Sequence, residues 1–445
     1  DAIEIHAATI WGALNAFTTL QQVIVYENDL YFVEDSLSIW DAPLYPHRGV
    51  MIDTGRNFIL KKKIFDQIDI MSLSKLNTLH WHLDDTQLWP VEIKSIPEMT
   101  KDAYSPREIY TQSDLLEIIA YAKDRNVRVI PEVDMPGHTA SGWKQANPNI
   151  VVCADTWWAD AASEPGPGQL DILNNDTYRV VKSVYDELSA LFEDDVFHVG
   201  GDEVNPRCYS YLQDITQYLQ THSYENLLDQ WLDNAMPIFR NSDKRRLMMW
   251  EDAVTGSIKG TSIPKDVILQ LWNAPSNIKL LTSDGYDVVV LLNMHFYLDC
   301  GYGGFLSNDP RYLDEPANNG FNYGDGGLYC NPYKTWQRIY DYDFTDGLTP
   351  EEESHVLGAE VALWSEQVDS AVITQKLWPR SAALGELVWS GNKDSAGNHR
   401  ASDLTQRINN FREYLVALGY DASPLMPKYC VLQPHACDYD KNTLW

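Results

Sequence analysis

Eight short apolar runs, each followed by a longer polar or amphipathic stretch, constrain this chain more than any other feature. They read "RGVMID" (48–53), "KLNTLHWHL" (75–83), "VRVIPEVD" (127–134), "VFHVGG" (196–201), "RLMMWED" (246–252), "DVILQLW" (266–272), "YDVVVLLN" (286–293) and "LGAEVALWSE" (357–366). Stretches of helical period lie between them, such as "SDLLEIIAYAKDRN" (113–126), with Ser113 as its expected N-cap, and "TYRVVKSVYDELSALF" (177–192). Apolar strands alternating with amphipathic helices are the pattern of parallel β/α units, and eight such units close into a (β/α)8 barrel. The C-terminal ends of the strands then form the mouth of the site. Polar and aromatic residues gather at those ends: Asp84 and Asp85, Asp134 and His138, and Asp202 and Glu203 follow the second, third and fourth runs. Trp250, Trp272 and Trp364 mark the fifth, sixth and eighth, and Tyr297 and Asp299 follow the seventh.

The 445 residues carry a formal net charge of −30, which repels nucleic acid and anionic membrane surfaces. No apolar run approaches the ~18 residues of a membrane span. The first residues lack the basic start and apolar middle of a signal peptide, so such a segment is expected to have been removed already. Six cysteines allow 15 pairings. Cys430 and Cys437 bracket a short loop and Cys300 and Cys330 a long one, which leaves Cys153 with Cys208. None forms a C-x-x-C pair, so disulfides in an oxidising compartment are expected rather than metal ligation. Asn175-Asp176-Thr177 is a glycosylation sequon, and together these features read as a secreted protein.

"HVGGDEVN" (198–205) sets two acids side by side after two glycines. Acids in the first turn of a helix are common, but a pair at a barrel mouth points to glycoside hydrolysis, in which a carboxylic acid protonates the leaving oxygen. Adjacent residues cannot flank a scissile bond from opposite sides. Either a partner carboxylate lies elsewhere or the substrate supplies its own nucleophile. Trp250, Trp272 and Trp364 would box a sugar, because indole faces match apolar sugar faces. Arg48, at the start of the first run, either caps a neighbour or grips two hydroxyls with its forked guanidinium, and Asp299 and Glu366 would supply acceptors for other hydroxyls. Asp85 with His138 would steer the catalytic acid. His80 and His82 form an H-x-H pair open to a metal reading, set against buried, hydrogen-bonded rings. A metal-dependent barrel hydrolase and a non-catalytic amino-sugar-binding barrel are therefore the rival readings.

"HRGVMIDTGRNF", "LHWHLDDTQLWP", "PEVDMPGH", "HVGGDEVN", "YLD" (297–299) and "LWSE" (363–366) together resemble family 20 glycoside hydrolases, the β-N-acetylhexosaminidases. The cysteine spacing and the "TIWGALNAFTTLQQ" helix look most like the secreted fungal branch. The resemblance implies a retaining, exo-acting enzyme that uses the substrate's 2-acetamido group as nucleophile, with no metal or cofactor. It makes Glu203 the acid and base, Asp202 the residue that orients the acetamido N–H, and Tyr297 the donor to the acetamido oxygen. Trp250, Trp272 and Trp364 become the pocket walls, Arg48, Asp299 and Glu366 the hydroxyl ligands, and Asp85, Asp134 and His138 the supporting shell. The general acid is expected to have a raised pKa and Asp202 to be ionised. The resemblance also implies a homodimer. Residues 1–45 read as the remnant of an α+β N-terminal domain with its linker, 46–425 as the catalytic barrel, and 426–445 as a disulfide-tied extension. The loop at 300–330 is expected to shape the leaving-group side.

Overall fold

The computed structural model describes residues 3–439 except 28, 35, 241–244, 262 and 326–329, so parts of the N-terminal segment, the 300–330 loop and the C-terminal segment lie outside the described residues. Eight parallel strands close on themselves in chain order: β1 His47–Asp53, β2 Thr78–His82, β3 Arg128–Glu132, β4 Val196–His198, β5 Arg246–Trp250, β6 Ile268–Leu271, β7 Val288–Val290 and β8 Val356–Leu363. β8 pairs with β1, matching Glu360 to Gly49 and Leu363 to Ile52. Every expected run overlaps its strand. Most overshoot at the C-terminal end, where residues such as Asp134 and Gly200 turn into the mouth instead of extending the ladder.

The helices on the outside are α2 Lys61–Leu73, α3 Gln112–Lys123, α4 Asn175–Leu191, α5 Tyr224–Phe239, α6 Ser276–Ser283 and α7 Arg380–Ser390, with α1 Ile10–Val23 before the barrel and α8 Ala401–Ala417 after it. Two expectations are corrected. The helix after β2 is capped by Thr111, not Ser113: Thr111 Oγ1 accepts the Asp114 N–H at 3.1 Å, and the Asp114 carboxylate accepts the Thr111 N–H at 3.0 Å. This capping box needs a polar acceptor three residues beyond the cap; Thr111 has Asp114 there, whereas Ser113 has Leu116. Among the described residues the chain forms only the helical turn Asp252–Thr255 between β5 and β6 and only helical pieces of five residues or fewer between β7 and β8, so two of the eight β/α units have no full helix.

Side chains alternate between the two faces of each strand. The outward set packs under the helices as the main core, including Leu79, Trp81, Val129 and Phe197. The inward set is layered. Ile130, Val196, Met248, Ile268 and Val289 form a separate apolar plug. Two residues further along the same strands stand Glu132, His198, Trp250 and Gln270, so the interior turns polar toward the mouth, with His80 and Glu360 fully buried among them.

The N-terminal segment lies against the opposite end of the barrel. α1 buries no residue. It is tied down by Lys75 Nζ, which donates to Thr19 Oγ1 and to the Asp41 carboxylate, both at 2.6 Å, while Asn126 Nδ2 reaches the Trp11 carbonyl at 3.5 Å. Cys153–Cys208, Cys300–Cys330 and Cys430–Cys437 are bonded, with Cα separations of 5.3, 5.5 and 5.6 Å.

Candidate active site

The turn after β4 explains how adjacent acids reach one cavity. Gly200 and Gly201 take φ of +68° and +106°, and Glu203 itself sits at +46°. The strand geometry that would send neighbours to opposite faces has ended there. A side chain at Gly200 could not be accommodated, since its Cβ would lie 1.8 Å from Asp134 Oδ1. Asp134 accepts the Gly201 N–H at 3.1 Å, which anchors the turn. Glu203 is a non-glycine residue in the left-handed region, and such strain gathers where function demands a particular side-chain position.

Asp202, Glu203, Tyr297, Trp250, Trp272 and Trp364 line one cavity of about 420 Å3, the volume of a sugar-sized ligand site. Trp250 ends β5 and Trp364 follows β8, with ring centroids 6.0 Å apart. Tyr297 reaches the wall by bridging to Ala362 of β8, and its ring centroid lies 6.1 Å from that of Trp364. Trp272 is held from below: Asp252 Oδ2 accepts its Nε1–H at 2.6 Å and Glu251 Oε1 accepts its backbone N–H at 2.9 Å. Sequence reading passed over Glu251 and Asp252, although both follow Trp250 at the end of the fifth run. Trp250 donates to Glu132 Oε1 at 2.7 Å.

His138, also in the left-handed region at φ +50°, stands between the carboxylates. Its Nδ1 lies 3.1 Å from Asp85 Oδ1, and its Nε2 lies 3.4 Å from Glu203 Oε2 and 3.6 Å from Asp202 Oδ2. The charge pattern is opposite to the sequence expectation. Burial, then the neighbouring Asp134 carboxyl, push Asp202 well above the ordinary carboxylate range. Burial also raises Glu203, but the hydrogen bond and charge of His138, with Arg56 beyond, outweigh it and hold Glu203 below its usual value. Asp134 and Asp202 interact directly, and two buried carboxyls in contact disfavour ionising both. Burial and mutual repulsion therefore favour the protonated form of the Asp134–Asp202 pair.

Arg48 is not in this cavity. It lies at the N-terminal end of β1, where it donates to the carbonyls of Lys75 (2.8 Å) and Tyr45 (2.9 Å) and covers the Trp389 ring at 5.0 Å. Arg56, three residues beyond β1, lines the pocket instead. Its Nη1 pairs with Asp85 at 2.8 Å, its Nη2 with Glu164 at 2.7 Å, and its guanidinium lies 4.8 Å over Trp364. The rule that mouth residues follow the C-terminal ends of strands would have selected Arg56 and rejected Arg48. Glu164 carries no such signal. It sits in the loop after β3, which the Cys153–Cys208 bond ties to the segment after β4. Asp299 and Glu366 line the pocket as expected. Burial pushes Asp299 up to about 7, and burial together with Glu164 pushes Glu366 well up.

The H-x-H pair is drawn into ion pairs with buried acids. His82 places Nδ1 2.8 Å from Glu132 and Nε2 2.9 Å from Asp85; His80 places Nδ1 3.0 Å from Glu360 and Nε2 2.9 Å from Glu132, the last contact off the line of a hydrogen bond.

The family model described as glycosyl hydrolase family 20, catalytic domain, matches residues 45–392. The β-hexosaminidase of Emericella nidulans is 54% identical over 463 residues, covering 100% of this chain and 77% of that protein. The chitooligosaccharidolytic β-N-acetylglucosaminidase of Bombyx mori is 32% identical, covering 97% and 72%. Among solved structures, the exo β-N-acetylglucosaminidase of Vibrio harveyi superposes with a TM-score of 0.73 at 22% identity, covering 94% of this chain and 65% of that one, which shows a shared fold. With its barrel, its paired acids and its three-tryptophan pocket, this chain belongs to glycosyl hydrolase family 20.

Proposed function

We infer that the protein is an exo-β-N-acetylhexosaminidase that releases terminal N-acetylglucosamine or N-acetylgalactosamine with retention of configuration. The observation that carries this is the single pocket in which Asp202 and Glu203 face Tyr297 between Trp250, Trp272 and Trp364. Two neighbouring carboxylates cannot straddle a glycosidic bond, but they suit a reaction whose nucleophile is part of the substrate. The tryptophans hold the 2-acetamido group, Tyr297 donates its O–H to the acetamido oxygen, and Asp202 accepts the acetamido N–H. The oxygen attacks the anomeric carbon as Glu203 protonates the leaving oxygen. An oxazolinium forms, and Glu203, now a base, draws a proton from the water that opens it. Arg56, Asp299 and Glu366 grip the hydroxyls of the terminal sugar, which makes the site exo-acting.

The unliganded charge pattern adds a step. Asp202 must lose a proton to accept the acetamido N–H, and Glu203 must gain one to act as acid. His138 Nε2 is near both carboxylates, so its proton passes to Glu203 while the Asp202 proton replaces it, and the charge of the cluster is unchanged. No step calls on a metal or cofactor.

Secretion, glycosylation at Asn175 and homodimerisation belong to the same reading. The three disulfides and the exposed Asn175 side chain support the first two, and family resemblance supports the third. The test of function is hydrolysis of an aryl N-acetylglucosaminide beside the matching glucoside. Only the first should be cleaved, and equal rates would overturn the acetamido mechanism.

A further inference from the structure

The arm Asp85–His138–Glu203 belongs to the site already described, but it does not end at Asp85. Behind it, acids and imidazoles alternate into the barrel. Asp85 Oδ2 meets His82 Nε2 at 2.9 Å, His82 Nδ1 meets Glu132 Oε2 at 2.8 Å, the same oxygen lies 2.9 Å from His80 Nε2, and His80 Nδ1 meets Glu360 Oε2 at 3.0 Å. All of these side chains are at most 1% exposed. A neutral imidazole carries one N–H and one lone pair. If His82 were neutral, a lone pair would be pressed against a carboxylate oxygen at under 3 Å in a medium without water. The geometry therefore points to an imidazolium at His82, between the anions of Glu132 and Asp85, while His80 continues the line with Nδ1 on Glu360 and Nε2 2.9 Å from Glu132. His198 differs: only its Nδ1 faces a carboxylate, Glu132 at 3.2 Å, and the Gly200 N–H points at that same nitrogen.

We propose that Glu132 and His82 are positioning residues for the catalytic acid, forming with His80 and Glu360 a buried line of alternating charge that holds the Asp85–His138 arm and governs the protonation of Glu203 from inside the barrel. Glu132 has a second hold on the site. Its Oε1 accepts the Trp250 Nε1–H at 2.7 Å, so one carboxylate fixes both a wall of the acetamido pocket and the root of the proton-delivering arm. The shifts agree in direction: the charges of Glu360 and Glu132 outweigh burial to raise His80 to about 9, and those of Glu132 with the Asp85 bond raise His82 well above its usual value.

Other groups face this line and act on it. Arg56 Nη1 lies 3.5 Å from His82 Nε2, and Asp53 and Asp84 are close enough to interact with that ring. His80 stacks on His198 at 4.8 Å, His47 Nε2 shares Glu360 at 2.5 Å, and Gln270 donates to Glu360 at 2.7 Å. Glu203 itself meets His138, Asp202, Arg56 and Asp85, and its backbone N–H reaches Asp252 Oδ1 at 3.5 Å.

The inference rests on Glu203 being the proton donor, but its first test does not. Neutron diffraction from a deuterium-exchanged crystal of the native protein at pH 7 should show deuterons on both ring nitrogens of His82. A single deuteron on the His82 ring overturns the proposal, whatever the protein's activity. The second test is the pH profile of kcat/KM for Glu132→Gln and His82→Gln. Glu132→Gln keeps an oxygen for Trp250 Nε1 and removes the charge. His82→Gln removes the cation nearest the arm, so the limb that reports loss of the Glu203 proton should move up by about half to one pH unit. Glu132→Gln should move it less in the same direction, because its loss also releases the His82 proton. Activity lowered equally at every pH, with both limbs in place, would mean that these residues only fill the barrel.

Discussion

Exchanging the two arginines of the first β/α unit separates substrate binding from scaffolding. Arg56 stands against Glu164 at 2.7 Å, Asp85 at 2.8 Å and Asp53 at 3.6 Å, and is 7% exposed. Arg56→Met would strand these acids in a buried site, a loss of about 3–5 kcal/mol that is a large part of the stability of a typical domain. Arg56→Lys is therefore the informative change. The lysine keeps the charge but cannot fork between Asp85, Glu164 and a sugar hydroxyl. Losing a charged hydrogen bond to the substrate removes about 1.5–3 kcal/mol, which predicts a kcat/KM lower by about 10- to 150-fold. Arg48 predicts the reverse. Among the described residues its guanidinium meets carbonyl oxygens and the Trp389 face rather than a carboxylate, and burial pulls it down to about 10. Arg48→Met should lower thermal stability by about 1–3 kcal/mol through the carbonyls left unpaired, and should leave KM for an aryl N-acetylglucosaminide unchanged. The assay is steady-state kinetics with thermal unfolding of the same preparations. An Arg48 variant with the KM defect, or an Arg56→Lys enzyme with native kcat/KM, would refute the placement of these side chains.

Asp202→Asn should retain substrate binding and lose turnover by orders of magnitude, because a neutral amide cannot stabilise the developing oxazolinium charge; turnover near the native value would remove Asp202 from the mechanism. Stability should fall as pH rises. His80 is raised from 6.5 to about 9, so its contribution is complete below pH 6.5 and lost through 9. Asp134, Asp252 and Asp299 are raised from 3.8 to about 6, 7 and 7, so what they contribute in the neutral form is lost between pH 4 and 7. Glu360 is lowered, and its contribution, present above 4.5, is lost in acid. Tm measured at pH 5, 7 and 9 should decline in that order, and a rise toward pH 9 would contradict the signs. The Cys300–Cys330 bond closes a loop that brings Phe305, Asp309 and Arg311 to the pocket. Replacing both cysteines with serine should cost about 3–4 kcal/mol on the chain-entropy argument and change the preference among chitin oligosaccharides; an unchanged preference would remove the loop from leaving-group recognition.

The barrel was legible in the chain because strands buried on both faces must be apolar along their length, so eight such runs stand out without knowledge of their contacts. The mouth was legible for a related reason. Polarity at strand ends is local, and a closed parallel barrel brings all those ends together. That rule located Asp202, Glu203, Tyr297 and the three tryptophans, and applied strictly to the first strand it would have located Arg56. The N-cap of α3 was missed because the choice between Thr111 and Ser113 depends on which residue finds an acceptor three positions on.

By itself, then, the sequence determined the architecture and placed Asp202 and Glu203 at the mouth, since both follow from periodicity or from neighbours along the chain. Only the tertiary structure decided the rest. Glu164 reaches Arg56 from 108 residues away. The Asp134–Asp202 pair favours a proton because two strand ends bring those carboxyls together in a buried place. The charged line behind Asp85 exists because His80, His82, Glu132 and Glu360, unremarkable one by one, point into the same dry interior. "HVGGDEVN" supplies the two acids and the glycines that turn them. Their charges are set by groups on other strands, because electrostatic energy in a buried site depends on distance through space.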